Sequence, residues 1–166
     1  MTDDERFMKA ALSLAKRAAR EGEVPVGAVV VRNGEIVGSG WNRRETGKNA
    51  LSHAEIRAID NACKRLGGWR LWECDLYVTL EPCPMCAGAV VSSRIKRVVL
   101  GAKDPKAGAC GSVMNLFSYP LNHSPECVDG ILEEESTELL KTFFAELRKK
   151  KKIAKVRADE LVKNND

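Results

Sequence analysis

Two short stretches constrain the fold most, Ser52-His53-Ala54-Glu55 and Glu81-Pro82-Cys83-Pro84-Met85-Cys86. Each stands where a helix is expected to begin. Pro82 breaks a strand-like run, and Pro84 suits a first helical turn, where its missing N–H costs nothing. Ser52 reads as an N-cap, and Ser52-x-x-Glu55 fits a capping box. Cys-x-x-Cys spacing places two sulfurs on one face of a first turn. In mid-helix His53 and Glu55, two residues apart, would point to opposite sides. At a helix end that objection falls away, because first-turn side chains of any azimuth can reach a point near the axis. The pattern therefore predicts two helix N-termini converging on one point, their positive ends favouring thiolates.

The remaining punctuation fits such a frame. Residues from about Glu5 to Arg20 read as an amphipathic helix, with Phe7, Ala11, Leu14 and Ala18 at spacings of three and four, ended by Gly22. Val24–Arg32 is a Val-rich strand run, and Asn33-Gly34 is a strong hairpin signal leading into a second strand over Glu35–Trp41. Asn42–Leu51 is a basic loop. Helices are predicted from Ser52 to about Leu66 and from Pro84 to about Ser92, with strands over Asp75–Leu80 and Arg97–Ala102. The second of these strands is apolar enough to be buried on both faces. A Gly-rich loop follows over Lys103–Gly111, then a helical turn near Val113–Leu116 and an edge strand near Cys127–Ile131. A last helix runs from Glu133 to about Leu147, with Leu139, Leu140, Phe143, Phe144 and Leu147 on one face. A basic tail from about Arg148 is expected to fray. Strands alternating with helices after an opening hairpin give an α/β three-layer sandwich, with helices on both faces of a mixed sheet of about five strands. With no repeat and no linker, the chain reads as one domain over residues 1–166.

The convergent residues are chemically specific. Cys and His suit tetrahedral zinc, and a catalytic site keeps one of four positions for water. His53, Cys83 and Cys86 supply three ligands, and Glu55 is a carboxylate placed to move protons. His123 and the other cysteines lack ligand spacing, although Cys110 stays open as a fourth ligand. Each piece also has a plainer reading. Glu55 could simply close the capping box, His53 could be a surface histidine, and Cys-x-x-Cys could be a redox pair. The redox reading leaves no role for Pro82 or His53, and the conjunction selects the catalytic one. His-x-Glu followed by Pro-Cys-x-x-Cys resembles the signature of zinc-dependent nucleobase deaminases.

A longer frame narrows the resemblance. Glu23-Val24-Pro25-Val26-Gly27-Ala28, Trp41-Asn42-Arg43, His53-Ala54-Glu55, Leu76–Cys83, Met85–Ala89 and Ser93-Arg94-Ile95 resemble the bacterial tRNA-specific adenosine deaminases. Gly101–Ala109 and Leu121-Asn122-His123 extend the likeness, which spans roughly residues 5–150. The resemblance implies conversion of adenosine to inosine at the wobble position of an arginine tRNA anticodon, one zinc per subunit and a homodimer whose subunits both contribute to the RNA surface. It also implies that Asn42 hydrogen-bonds the flipped adenine, and that Val26 with Leu80-Glu81-Pro82 walls the base. Arg44, Lys106, Asn122 and Arg148 are implied to contact flanking nucleotides or phosphates. Ala50-Leu51-Ser52 departs from the Pro-Thr-Ala of many members. Cys-Pro-Met-Cys also occurs in guanine deaminases of the same fold, so a free-base enzyme is the alternative. A non-catalytic zinc module binding RNA through basic loops is a third reading, which leaves Glu55 without a role.

Charge and cysteines set the surroundings. The net charge is a mild +4, but Arg43, Arg44, Lys48, Lys103, Lys106 and Arg148–Lys152 gather in loops and at a helix end, suiting a phosphate backbone. Few aromatics are available to stack on bases. The acidic Met1–Glu5 start does not resemble a signal peptide, and no apolar run approaches a membrane span. A cytoplasmic protein with six reduced cysteines is expected, in preference to one with three disulfides.

Overall fold

Asn33 and Gly34 both take positive φ, 50° and 76°, and fold β1 (Gly27–Arg32) back onto β2 (Glu35–Trp41). The structure is a computed structural model that describes residues 1–165. β3 (Cys74–Leu80) pairs antiparallel to β1 on its other side, and β4 (Arg97–Ala102) and β5 (Glu126–Val128) add in parallel. The five-stranded order is β2-β1-β3-β4-β5. Val24 and Pro25 precede the first strand; Val26 instead donates its N–H to the Val24 carbonyl.

Strand residues alternate between two cores. Ala28, Val30, Leu76, Val78, Val98 and Leu100 meet α2 (Ala54–Leu66) and α3 (Pro84–Ser93). Val29, Val31, Tyr77 and Val99 meet α1 (Asp3–Arg20), with Leu139 of α4 (Glu133–Lys163) packed beside them. This is the expected three-layer sandwich. A polar clamp ties α1 to the sheet: Arg97 bonds Asp4 and Asp75, and the Tyr77 hydroxyl donates to Asp4. The Arg97 guanidinium holds the Asp4 carboxyl below the usual carboxylate range.

Glycines set how closely α2 lies on β2. A Cβ at Gly38 would stand 2.3 Å from the Ala58 carbonyl oxygen and 2.7 Å from the Ala62 nitrogen. One at Gly40 would meet the Ala54 oxygen at 2.6 Å. Small residues thus face small residues across this contact, and the helix carrying the first motif rests on bare strand backbone. Gly38→Ala should lower stability by about 3 kcal/mol, the upper end of overpacking costs, because backbone and not a movable side chain stands in the way. A denaturant titration checks it; an unchanged midpoint refutes the close-approach argument.

Three expectations need correction. No Ser52 capping box forms: α2 starts at Ala54, its N-cap is His53, and no side chain caps the end. Glu55 is instead buried at the site, so its carboxylate does not reach back along the helix. The turn near Val113 is a 3-10 turn at Leu116–Ser118, capped by Asn115. The last helix does not stop near Leu147; it continues to Lys163. Residues 148–163 hold no Gly or Pro and are rich in good helix formers. The packed first half supplies the costly nucleus, so each added residue only propagates the helix.

Candidate active site

The two motifs meet at the carboxyl end of β3. His53 is the N-cap of α2 and Cys83 the N-cap of α3, with Pro84 at the first helical position. His53 Nδ1 lies 3.7 Å from Cys83 Sγ and 3.5 Å from Cys86 Sγ. Zinc about 2.3 Å from sulfur and about 2.05 Å from nitrogen in tetrahedral geometry sets S and N about 3.6 Å apart. The donor set therefore fits one zinc ion without rearrangement. Among the described residues, these three are the His, Cys, Asp or Glu side chains grouped closely enough to share an ion, within 4.8 Å of one another. Cys110 is not of the group, and all six cysteines are free.

Electrostatics at this point favour negative charge on one of the two sulfurs. The hydrogen bond from Cys86 and the neighbouring His53 hold the Cys83 thiol down at about 4. Sharing with Cys83, together with burial, pushes the Cys86 thiol up. Both sulfurs sit in the first turn of α3, whose positive end favours thiolate. Glu55 is 4% exposed, and burial pushes its carboxyl up.

A cavity of about 460 Å³ opens over His53, Glu55 and Cys83. Val26, Asn42, Arg44, Leu80 and Lys106 line it. Asn42 donates to the Val24 carbonyl and accepts from the Arg44 N–H, which leaves its amide one further donor and one further acceptor. Its position is fixed from the strand end: the guanidinium groups of Arg17 and Arg57 both stack on Trp41, whose indole N–H donates to Glu21. Asn122 and Arg148 are exposed and do not line the cavity.

Sequence reasoning missed three contributors and one role of a fourth. Leu140 and Phe144 of α4 form part of the wall, so an aromatic ring is available at the mouth after all. The signal was their place on the apolar face of the last helix. Two buried carboxylates grip the loops on either side. Glu23 accepts from the Glu45 and Thr46 N–H groups and the Thr46 hydroxyl. Glu81, expected as base wall, also borders the cavity. Its carboxylate, however, accepts from the N–H groups of Asp104, Cys110 and Ser112 and from the Ser112 hydroxyl. Glu81 thereby fixes the loop that presents Lys103 and Lys106. Glu81→Gln puts an NH2 group among these donors. It should raise KM for RNA about tenfold, the effect of roughly 1.4 kcal/mol, with zinc content unchanged. Steady-state kinetics with metal analysis tests it; an unchanged KM removes this role.

Residues 1–102 match the cytidine and deoxycytidylate deaminase zinc-binding region. The tRNA-specific adenosine deaminase of Bacillus subtilis (strain 168) is 56% identical over 161 residues, which cover 96% of this chain and 100% of that protein. The chain belongs to the tRNA-specific adenosine deaminase family. A solved structure from studies of A-to-I editing by tRNA:A34 deaminases at the wobble position superposes with a TM-score of 0.79. It is 46% identical and covers 81% of this chain and 99% of that one. A guanine deaminase from Bacillus subtilis is lower on both measures, with a TM-score of 0.59 and 36% identity over 74% of this chain and 82% of that one. No helix among the described residues is long and apolar enough to cross a membrane.

Proposed function

We propose that this cavity deaminates the wobble adenosine of a tRNA anticodon to inosine, with His53, Cys83 and Cys86 holding one zinc and Glu55 carrying the protons. The observation that carries the reading is the convergence of the three ligand atoms at tetrahedral spacing, with a buried carboxyl beside them and a base-sized cavity above. Bound zinc supplies a water acidified from 15.7 towards ~7, a nucleophile at neutral pH. Glu55 accepts a proton from the attacking water and delivers it to the adjacent ring nitrogen as the amino-bearing carbon is attacked. It then takes the remaining proton from the newly bonded hydroxyl and passes it to the amine as the carbonyl forms and the C–N bond breaks, and ammonia leaves. Val26 and Leu80 enclose the base and exclude bulk water, and the free donor and acceptor of Asn42 orient it. Arg44 and Lys106 take flanking phosphates, and Phe144 offers a ring face to a neighbouring base. Asn122 and Arg148 meet the RNA outside the cavity.

The substrate is read as an arginine tRNA, its anticodon loop splayed so that unstacked bases can enter. Such a substrate suits an enzyme that works in the cytoplasm, as a homodimer. Mass spectrometry of an anticodon stem-loop treated with the protein tests the reading. One loop adenosine should gain the mass change of deamination. Ammonia from free guanine, with unmodified RNA, would replace it with the free-base alternative. RNA binding with neither activity would leave a zinc-containing binding module.

A further inference from the structure

The outer half of α4 is positively charged and lies on the surface along its whole length. Every residue from Arg148 to Lys163 is exposed. The segment holds eight Lys and Arg against two acidic residues, a net +6, whereas the whole chain carries +4. The other 150 residues together are therefore at −2. The charge is arranged against itself: Arg148 with Lys152, and Lys151 with Lys155, are like-charged pairs four residues apart on one helix face. Such pairs destabilise a helix in water, and a polyanion alongside relieves the repulsion.

We propose that this arm is a second RNA-binding surface, which tracks the phosphate backbone of the paired anticodon stem while the loop occupies the cavity. The proposal rests on the tRNA reading above. α4 connects the two surfaces directly, because Leu140 and Phe144 of the same helix line the cavity together with Lys103 and Lys106. At about 1.5 Å per residue, the arm reaches about 28 Å from Phe144 to Lys163. Its apolar residues argue against a lipid surface or a groove on another protein. Ile153 and Val156 share one side, whereas Leu161 and Val162 lie further round, so the four exposed apolar residues spread over roughly two thirds of the helix circumference and form no single face to be buried. Positive charge on all sides suits a backbone followed without sequence preference.

The test measures binding of a fluorescein-labelled anticodon stem-loop across a salt series. It compares the wild type with a variant carrying Gln at Lys150, Lys151, Lys152, Lys155 and Arg157. Gln keeps helix propensity, and helicity and zinc content check the fold. Each phosphate contact contributes roughly one unit to the slope of log K against log salt. We expect the variant's slope to be shallower by about 3, so a fourfold rise in salt weakens the wild type ~60-fold more than the variant. KM for deamination should rise with kcat within about twofold, and Arg at the same five positions should restore the slope. Slopes within one unit of each other overturn the arm. So does a variant whose slope is unchanged but whose mass in sedimentation differs, which would assign the arm to contacts between copies. Wild type that binds with the steep slope but forms no inosine overturns the deaminase reading and leaves the arm standing.

Discussion

Glu55→Gln should lower kcat for adenosine deamination by ~10²–10⁴-fold, the contribution of a positioned general acid–base group, with zinc still bound at one per chain. The substitution keeps the shape of a side chain that is 4% exposed, so packing around it is preserved. What it removes is the ability to accept and return a proton. Glu55 is not in the group of ligand atoms, which is His53, Cys83 and Cys86. Metal content and turnover should therefore part company in this variant, whereas a ligand substitution loses both. KM for RNA should stay within a few-fold, because the carboxyl faces the reacting base and not the backbone. Metal analysis with single-turnover kinetics on a stem-loop decides. Turnover above a tenth of wild type would remove Glu55 from the proton path, and loss of zinc would make it part of the metal site.

The residues that make this prediction possible were legible because chemistry fixes both their types and their spacing. Pro82, Cys83, Pro84 and Cys86 state a strand end, a helix start and two sulfurs within five positions, and the structure has all of them. Asn33-Gly34 fixed the hairpin through its demand for positive φ. What escaped was whatever depends on tertiary contact. Glu23 and Glu81 are acidic residues beside strands, and nothing local says that their carboxylates will turn inward to bind loop N–H groups. Phe144 satisfies the same periodicity as a core residue, and only the path of α4 across the cavity mouth assigns it to the site. Ser52 failed for the converse reason. The local capping pattern was present, but the site drew Glu55 away and began the helix two residues later. The length of α4 was misjudged because a run of lysines suggests fraying, whereas a helix already nucleated by packing extends through it.

Cys86→Ala should abolish zinc binding and reduce turnover to background. Of the two thiols, Cys86 is the better probe, being fully buried in the first turn of α3 whereas Cys83 is half-buried. Its sulfur is 3.5 Å from His53 Nδ1, the contact that joins the start of α3 to the start of α2. Two ligands of different helices hold an ion far less tightly than three, since zinc sites draw apparent free energies of about 10–16 kcal/mol from complete ligand sets in zinc-finger peptides. Folding here does not wait for the metal as it does in those peptides. The sheet buries its own two cores, and the glycine contact between α2 and β2 is made without the ligands. The variant should accordingly stay folded, with Tm lowered by several degrees and secondary structure intact. Chelator treatment of the wild type should give the same loss of turnover and a similar Tm, and added zinc should reverse both. Zinc should restore nothing in Cys86→Ala. Stoichiometric zinc with full turnover in that variant would remove Cys86 from the metal centre. A chain left unfolded by chelator would mean that the two helix starts depend on the ion to come together, and that the cores alone do not place them.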